Sequence, residues 1–247
     1  MRTWVDRFPQ LFLGLVVLSA GIAIGGSAMG DGLRARSGQE MIAVTGSARQ
    51  TIVSDTVVWR ASVTSTQPTP AEASRELAEW VDRVRSFLRD AGAGEDEVRV
   101  DPVTTETIPQ LAPDGRGDTG RVAGYRLSRA FEVRSSRVKE MTDIVQKSSA
   151  LLTEGVPLTA QPPEYRYAQL AKIRPGLLAE ASRDAKTRGQ RLVTAAGGRL
   201  GRLQSVSTGV IQVTAPNATD TSGEGVYDTS TIEKDVTAVV RLTFGLR

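Results

Sequence analysis

From residue 236 to residue 246 every second position is apolar: Val236, Ala238, Val240, Leu242, Phe244 and Leu246. A two-residue period puts all of them on one face of a strand, and a sheet with one buried face is the structure that can use them. The same period runs through residues 56–65, where Val57, Trp59, Ala61 and Val63 alternate with Val58, Arg60, Ser62 and Thr64. It returns at Tyr125, Leu127, Phe131 and Val133. Ile42 and Val44 begin a further strand in residues 41–48, Val98 and Val100 begin one that runs to Ile108, and Val206, Ile211 and Val213 lie in another. Residues 155–167 contain three prolines and read as extended.

Between these strands the period changes to that of a helix. Thr69-Pro70-Ala71-Glu72 is a helix start, with a capping hydroxyl, a proline suited to the first turn and an acidic residue three positions on. The stripe Ala73, Leu77, Trp80, Val81, Val84, Phe87 and Leu88 follows, and Gly92 ends it. Ser136 opens a second helix with Val138, Met141, Ile144 and Val145 inward, and Pro175 opens a third with Leu178, Ala181, Ala185, Leu192 and Ala196. Gly189 falls on that third stripe, and Gly197-Gly198 stops it. The expected order is ββαββαβαββ. Strands come in neighbouring pairs, so the class is α+β: a largely antiparallel sheet or sheets with about three helices over one face.

Residues 11–30 (LFLGLVVLSAGIAIGGSAMG) contain no charge. At about 1.5 Å per residue a helix of this length crosses a hydrocarbon core of about 30 Å. Arg2 and Arg7 precede it against Asp6, which keeps the N-terminus in the cytoplasm and the remainder outside. The expected organisation is a cytoplasmic N-terminus over 1–10, a transmembrane signal anchor over 11–30, a linker over 31–41 and an α+β domain over 42–247. The domain would stand in the periplasm or extracytoplasmic space on a single pass through the inner membrane. Gly26-Ser27-Ala28 also suits signal peptidase, so a cleaved signal peptide is the alternative.

The chain has no Cys and no His. Disulfides, thiolate or imidazole metal sites, cysteine nucleophiles and a Ser-His-Asp triad are therefore excluded. Net charge is +3, too small to indicate a nucleic-acid partner. The expectation is a non-enzymatic protein with no catalytic residues, cofactor or metal.

Several local patterns carry candidate contacts. Gln161-Pro162-Pro163-Glu164-Tyr165-Arg166-Tyr167 combines a stiff extended edge with two aromatic rings and two charges, and Glu164, Tyr165, Arg166 and Tyr167 are the candidate interface or groove residues. The third helix and its flanks carry Lys172, Arg174, Arg183, Lys186, Arg188, Arg191, Arg199 and Arg202 against Glu180 and Asp184. That excess suits anionic headgroups or an acidic partner, or else a solvated helix. Arg116-Gly117-Asp118 and Asn217-Ala218-Thr219 read as turns, and Glu233 and Asp235 as one solvated face of a strand with Lys234 on the other.

The assembled pieces resemble the SIMPL domain family of bacterial envelope proteins. They are I-x-V-T-G-S-A from Ile42, S-D-x-V-x-W from Ser54, G-Y-R-L-S from Gly124, Q-P-P-E-Y from Gln161, the helix L-A-E-A-x-x-D-A-K-x-R from Leu178 leading to L-G-R-L, and T-S-T-I-E-K-D-V-T-A-V-V from Thr229. The resemblance covers the whole of residues 42–247. It implies an envelope location, and a role as an oligomeric scaffold or stress-protective factor. The alternative is a ligand- or peptide-binding module with a groove near Tyr165, Tyr167 and the 214–230 loop. Free edge strands give a physical route to homo-oligomers, with 236–246 as the candidate edge.

Overall fold

Thr69 caps the first helix as its sequence requires. The computed structural model, which describes residues 40–112, 117–218 and 222–247, places its hydroxyl 3.3 Å from the Glu72 amide, with Pro70 in the first turn of α1 (Pro70–Asp90). Ala73, Leu77, Val81, Val84 and Leu88 are buried along α1. At its end Gly92 has φ +96°, a value open to glycine at little cost. The Ala93 amide reaches back to Leu88 and the Gly92 amide to Arg89, which satisfies two terminal carbonyls and buries Ala93 beside Leu88.

Along the chain the elements are β1 (Met41–Val53), β2 (Thr56–Gln67), α1, β3 (Val98–Val100), β4 (Thr104–Leu111), β5 (Asp118–Ser135), α2 (Val138–Lys147), the single turn α3 (Ala150–Thr153), β6 (Leu158–Ala160), β7 (Glu164–Arg166), α4 (Leu170–Ala195), β8 (Leu200–Thr208), β9 (Gln212–Thr214) and β10 (Glu233–Leu246). Among the described residues the fold is α+β with antiparallel sheets and three helices longer than one turn. Residues 11–30 and most of the 31–41 linker lie outside the described residues. Among the described residues no helix is long and apolar enough to cross a membrane.

Contacts divide the chain into two compact units. The larger comprises Ser47–Ala181 and Gly209–Val239. Its main sheet has the order β3-β5-β2-β6, with β4 also on β5 and β7 also on β2, all antiparallel. Val57, Trp59, Ala61 and Val63 of β2 join Phe131 and Val133 of β5 beneath α1 and α2 in a first core. A second core gathers Ile52 of β1, Leu177 of α4, Val213 of β9, and Val236 and Ala238 of β10. The helices thus serve two cores, where a single covered face was expected. In the smaller unit, Ser182–Thr208 and Val240–Arg247 with the residues through Gly46, β10 runs between β1 and β8. Val44, Ala185, Val193, Val240, Leu242 and Phe244 are its buried apolar residues.

Five expectations need correction. Pro102, which has no N–H to give a ladder, breaks the 98–108 strand, and pairing resumes at Thr104. Arg137, one residue after Ser136, is the cap position of α2, and it is the Ser135 hydroxyl that takes the Arg137 amide at 3.0 Å. Helix α4 begins at Leu170, ahead of Pro175, because Leu170 and Ile173 pack on the second core. Its inward stripe advances by four residues through Leu177, Ala181, Ala185 and Val193, so Leu192 is 58% exposed. Finally, β10 is a central strand of its sheet, so 236–246 is not an edge.

Candidate functional site

The segment 161–167 is assembled along β2. The Gln161 amide bonds the Arg60 carbonyl at 2.9 Å, and β7 aligns Arg166, Tyr165 and Glu164 with Thr56, Val57 and Val58. Alternation then sends Tyr165 inward: it is 7% exposed, belongs to the first core, and its hydroxyl lies 3.1 Å from that of Thr142. Tyr167 packs against the second core. The loop beyond β9 closes over this stretch. The Tyr165 amide donates to the Thr229 carbonyl at 2.7 Å, and the Tyr227 hydroxyl accepts from the Tyr167 amide at 3.0 Å. The candidate residues and the 214–230 loop are therefore neighbours, with both rings used for packing.

Glu164 and Arg166 face outward and end a row of alternating charges. Asp101 meets Arg99 at 3.1 Å, Arg99 meets Glu132 at 3.9 Å, Glu132 meets Arg60 at 2.9 Å, and Arg60 meets Glu164 at 2.6 Å. Arg166 takes the other Glu164 oxygen at 2.5 Å. The cross-strand register Arg60↔Glu132 and Arg99↔Glu132, with β7 beside β2, produces this row from four strands. The Arg166 guanidinium foremost, with help from Arg60, holds the Glu164 carboxyl below the usual range against an upward push from burial. A carboxylate so neutralised is a contact group and a poor base.

Asp228 and Lys234 form a cluster that composition and period did not reveal. Lys234 is fully buried, and its ammonium donates to Asp228 at 3.1 Å and to the Thr231 carbonyl at 2.5 Å. Asp228 also accepts the Ser230 and Thr231 hydroxyls, each at 2.6 Å, and both amides at 3.2 Å. Burial raises the Asp228 carboxyl, but the bonds from Ser230, Thr231 and Lys234 outweigh it and leave it well below the ordinary carboxylate value. The readable signal was Asp-Thr-Ser-Thr, a run that folds onto its own backbone. Asp235 is a further correction. It is 6% exposed, not solvated, and takes the Thr51 hydroxyl at 2.8 Å.

The basic residues of α4 and its flanks are exposed, and Arg188 pairs with Asp184 at 2.8 Å. Asn217 has φ 61°, a left-handed turn position that Asn tolerates. Arg116 and Thr219 lie outside the described residues. Among the described residues, no group of His, Cys, Asp or Glu is arranged to hold a metal ion.

A family model described as SIMPL, a protein of unknown function (DUF541), matches residues 42–244. The chain belongs to the SIMPL family. The match covers both units of the SIMPL domain, including the Q-P-P-E-Y segment and the Asp228–Lys234 cluster. No curated protein matches the chain. Among solved structures, this SIMPL protein is similar at 13% identity and TM-score 0.20 to a proposed amidohydrolase/peptidase from Burkholderia cenocepacia, over 53% of this chain and 33% of that one. It thus spans a third of that protein's length. It is similar at 14% identity and TM-score 0.21 to the ligand-free regulatory subunit of aspartate kinase from Thermus thermophilus, over 80% of this chain and 88% of that one. Likenesses this slight carry no argument about activity.

Proposed function

We propose that this SIMPL protein is a non-enzymatic envelope protein, anchored through residues 11–30 in the inner membrane with its α+β domain outside the cytoplasm, and that it acts by assembling with copies of itself. The observation that carries the assembly is β8. Among the described residues it pairs on one side alone, with β10, and it is exposed from Arg202 to Thr208. Leu203 and Val206 are 50% and 55% exposed along it, and no proline blunts it. An edge of this kind offers a row of unpaired amides and carbonyls to a second strand. The absence of His and Cys from the chain, and the saturation of Lys234 and Glu164 by their partners, support a role in contact over one in bond-making.

The test is the mass of the full chain in detergent by light scattering across a range of concentrations. The unaltered chain is expected to run as an oligomer. Val206→Pro, which removes one amide from the free edge and disfavours a neighbouring strand, should shift it toward monomer without loss of helix content. A full chain that is monomeric at every concentration sinks the proposal.

A further inference from the structure

We infer that the smaller unit docks on an anionic lipid surface, through a basic face set around an exposed apolar lip. Charge is divided unequally between the two units. The described residues of the smaller one carry eight basic side chains (Arg183, Lys186, Arg188, Arg191, Arg199, Arg202, Arg241 and Arg247) against two acidic ones, Glu40 and Asp184, an excess of six positive charges. Those of the larger unit carry 18 basic and 22 acidic, an excess of four negative charges. The chain's small net charge hides this division.

Pairing follows the same line. In the larger unit Arg60, Arg99, Arg126, Arg137 and Arg166 each meet a carboxylate within 4 Å. In the smaller unit Arg188 meets Asp184, while Arg191, Arg199 and Arg202 stand exposed with no carboxylate beside them among the described residues. Exposed arginines without a carboxylate partner are ready to exchange counterions for phosphodiester groups.

The apolar component lies among them. Ile42, Leu192, Val193, Ala196 and Leu246 line a shallow cavity whose rim includes Glu40 and Arg247. Leu192 is 58% exposed and stands next to Arg191, and the Arg199 and Arg247 backbones pair with each other at 2.9 Å. Basic side chains around exposed leucine are the composition of an interfacial surface. Glu40 follows position 30 by ten residues, so residues 11–30 join the chain through a short linker that ends on this rim. The lip is thereby held within reach of any bilayer the segment enters. That last step rests on the reading of residues 11–30 as an anchor. The charge excess and the lip do not.

The chain has no cysteine, so a single Leu192→Cys label reports this lip alone. The full chain carrying an environment-sensitive dye there would be reconstituted in vesicles of phosphatidylglycerol with phosphatidylcholine, and of phosphatidylcholine alone. Docking predicts a blue shift and quenching by brominated lipid in the first vesicles only, reversed by molar salt. Arg191→Gln with Arg199→Gln should lower the docked-to-free ratio about twenty-fivefold, at about fivefold per basic side chain. Equal emission in both lipids, or a shift that depends on protein concentration but not lipid, overturns the inference; the latter would assign the face to a second copy. Alkaline extraction of the same vesicles reads the anchor separately. If the protein is extracted yet still floats with anionic vesicles at low salt, the anchor fails and the docking face stands.

Discussion

Asp228 and Lys234 show how one residue type changes role with its surroundings. An ammonium group with no solvent contact is tolerable because its charge is neutralised by Asp228 and its protons are accepted by oxygens of the same loop. Removing the carboxylate alone leaves that charge stranded. Asp228→Asn is therefore expected to cost about 3 kcal/mol at neutral pH, measured by urea denaturation. The pH dependence has a definite sign. The folded-state carboxyl lies below its unfolded value of about 3.9, so its contribution is complete above that value and is lost as pH falls through the lower, folded one. The parent should lose stability below about pH 4, while Asp228→Asn shows a flatter acid limb. An identical acid slope in both proteins would remove Asp228 from the account.

Among the elements, the end of α1 is where backbone conformation decides most. Gly92→Ala places a side chain at φ +96° and is expected to cost about 1–2 kcal/mol. Gly176→Ala, inside α4 with open space around its Cβ position, should instead gain about 0.5–1 kcal/mol. Equal effects at the two glycines would show that φ is not the cause. The cap of α1 was legible because Thr69, Pro70 and Glu72 act on atoms a few residues away. So were the buried faces of β2, β5 and β10, whose period is local. What sequence could not supply was the neighbour of each strand. The alternation of β10 is the same whether it lies at an edge or in the middle, and only pairing with both β1 and β8 distinguishes them. The α4 stripe failed for a related reason. Leu192 looks inward by composition, but the helix faces its neighbours through Gly189, whose missing Cβ would come within 3.3 Å of Val44. Tyr165 and Tyr167 were legible as unusual and not as core residues, because their packing depends on α2 and on a loop some sixty residues further on.

At the scale of the molecule, the two units differ in what they do with charge. The larger spends its acids on its own arginines, and its outward sheet face carries a closed row from Asp101 to Arg166. The smaller pairs Arg188 with Asp184 and leaves Arg191, Arg199 and Arg202 exposed. A single net charge describes neither. β10 adds a constraint of another kind, one of time. A chain leaving the ribosome or a translocon N-terminus first delivers β1 nearly two hundred residues before the strand that joins it to β8. The smaller sheet cannot close until residue 246 has emerged. Until then β1 waits with its pairing groups open, while β2 and β5, far closer along the chain, are free to zip together. Chains stalled before residue 233 should therefore protect the amides of β2 and β5 from hydrogen exchange and leave those of β8 unprotected. Closing the sheet through β10 leaves residues 41–53 and 200–208 without their shared partner for most of the time the chain is being made.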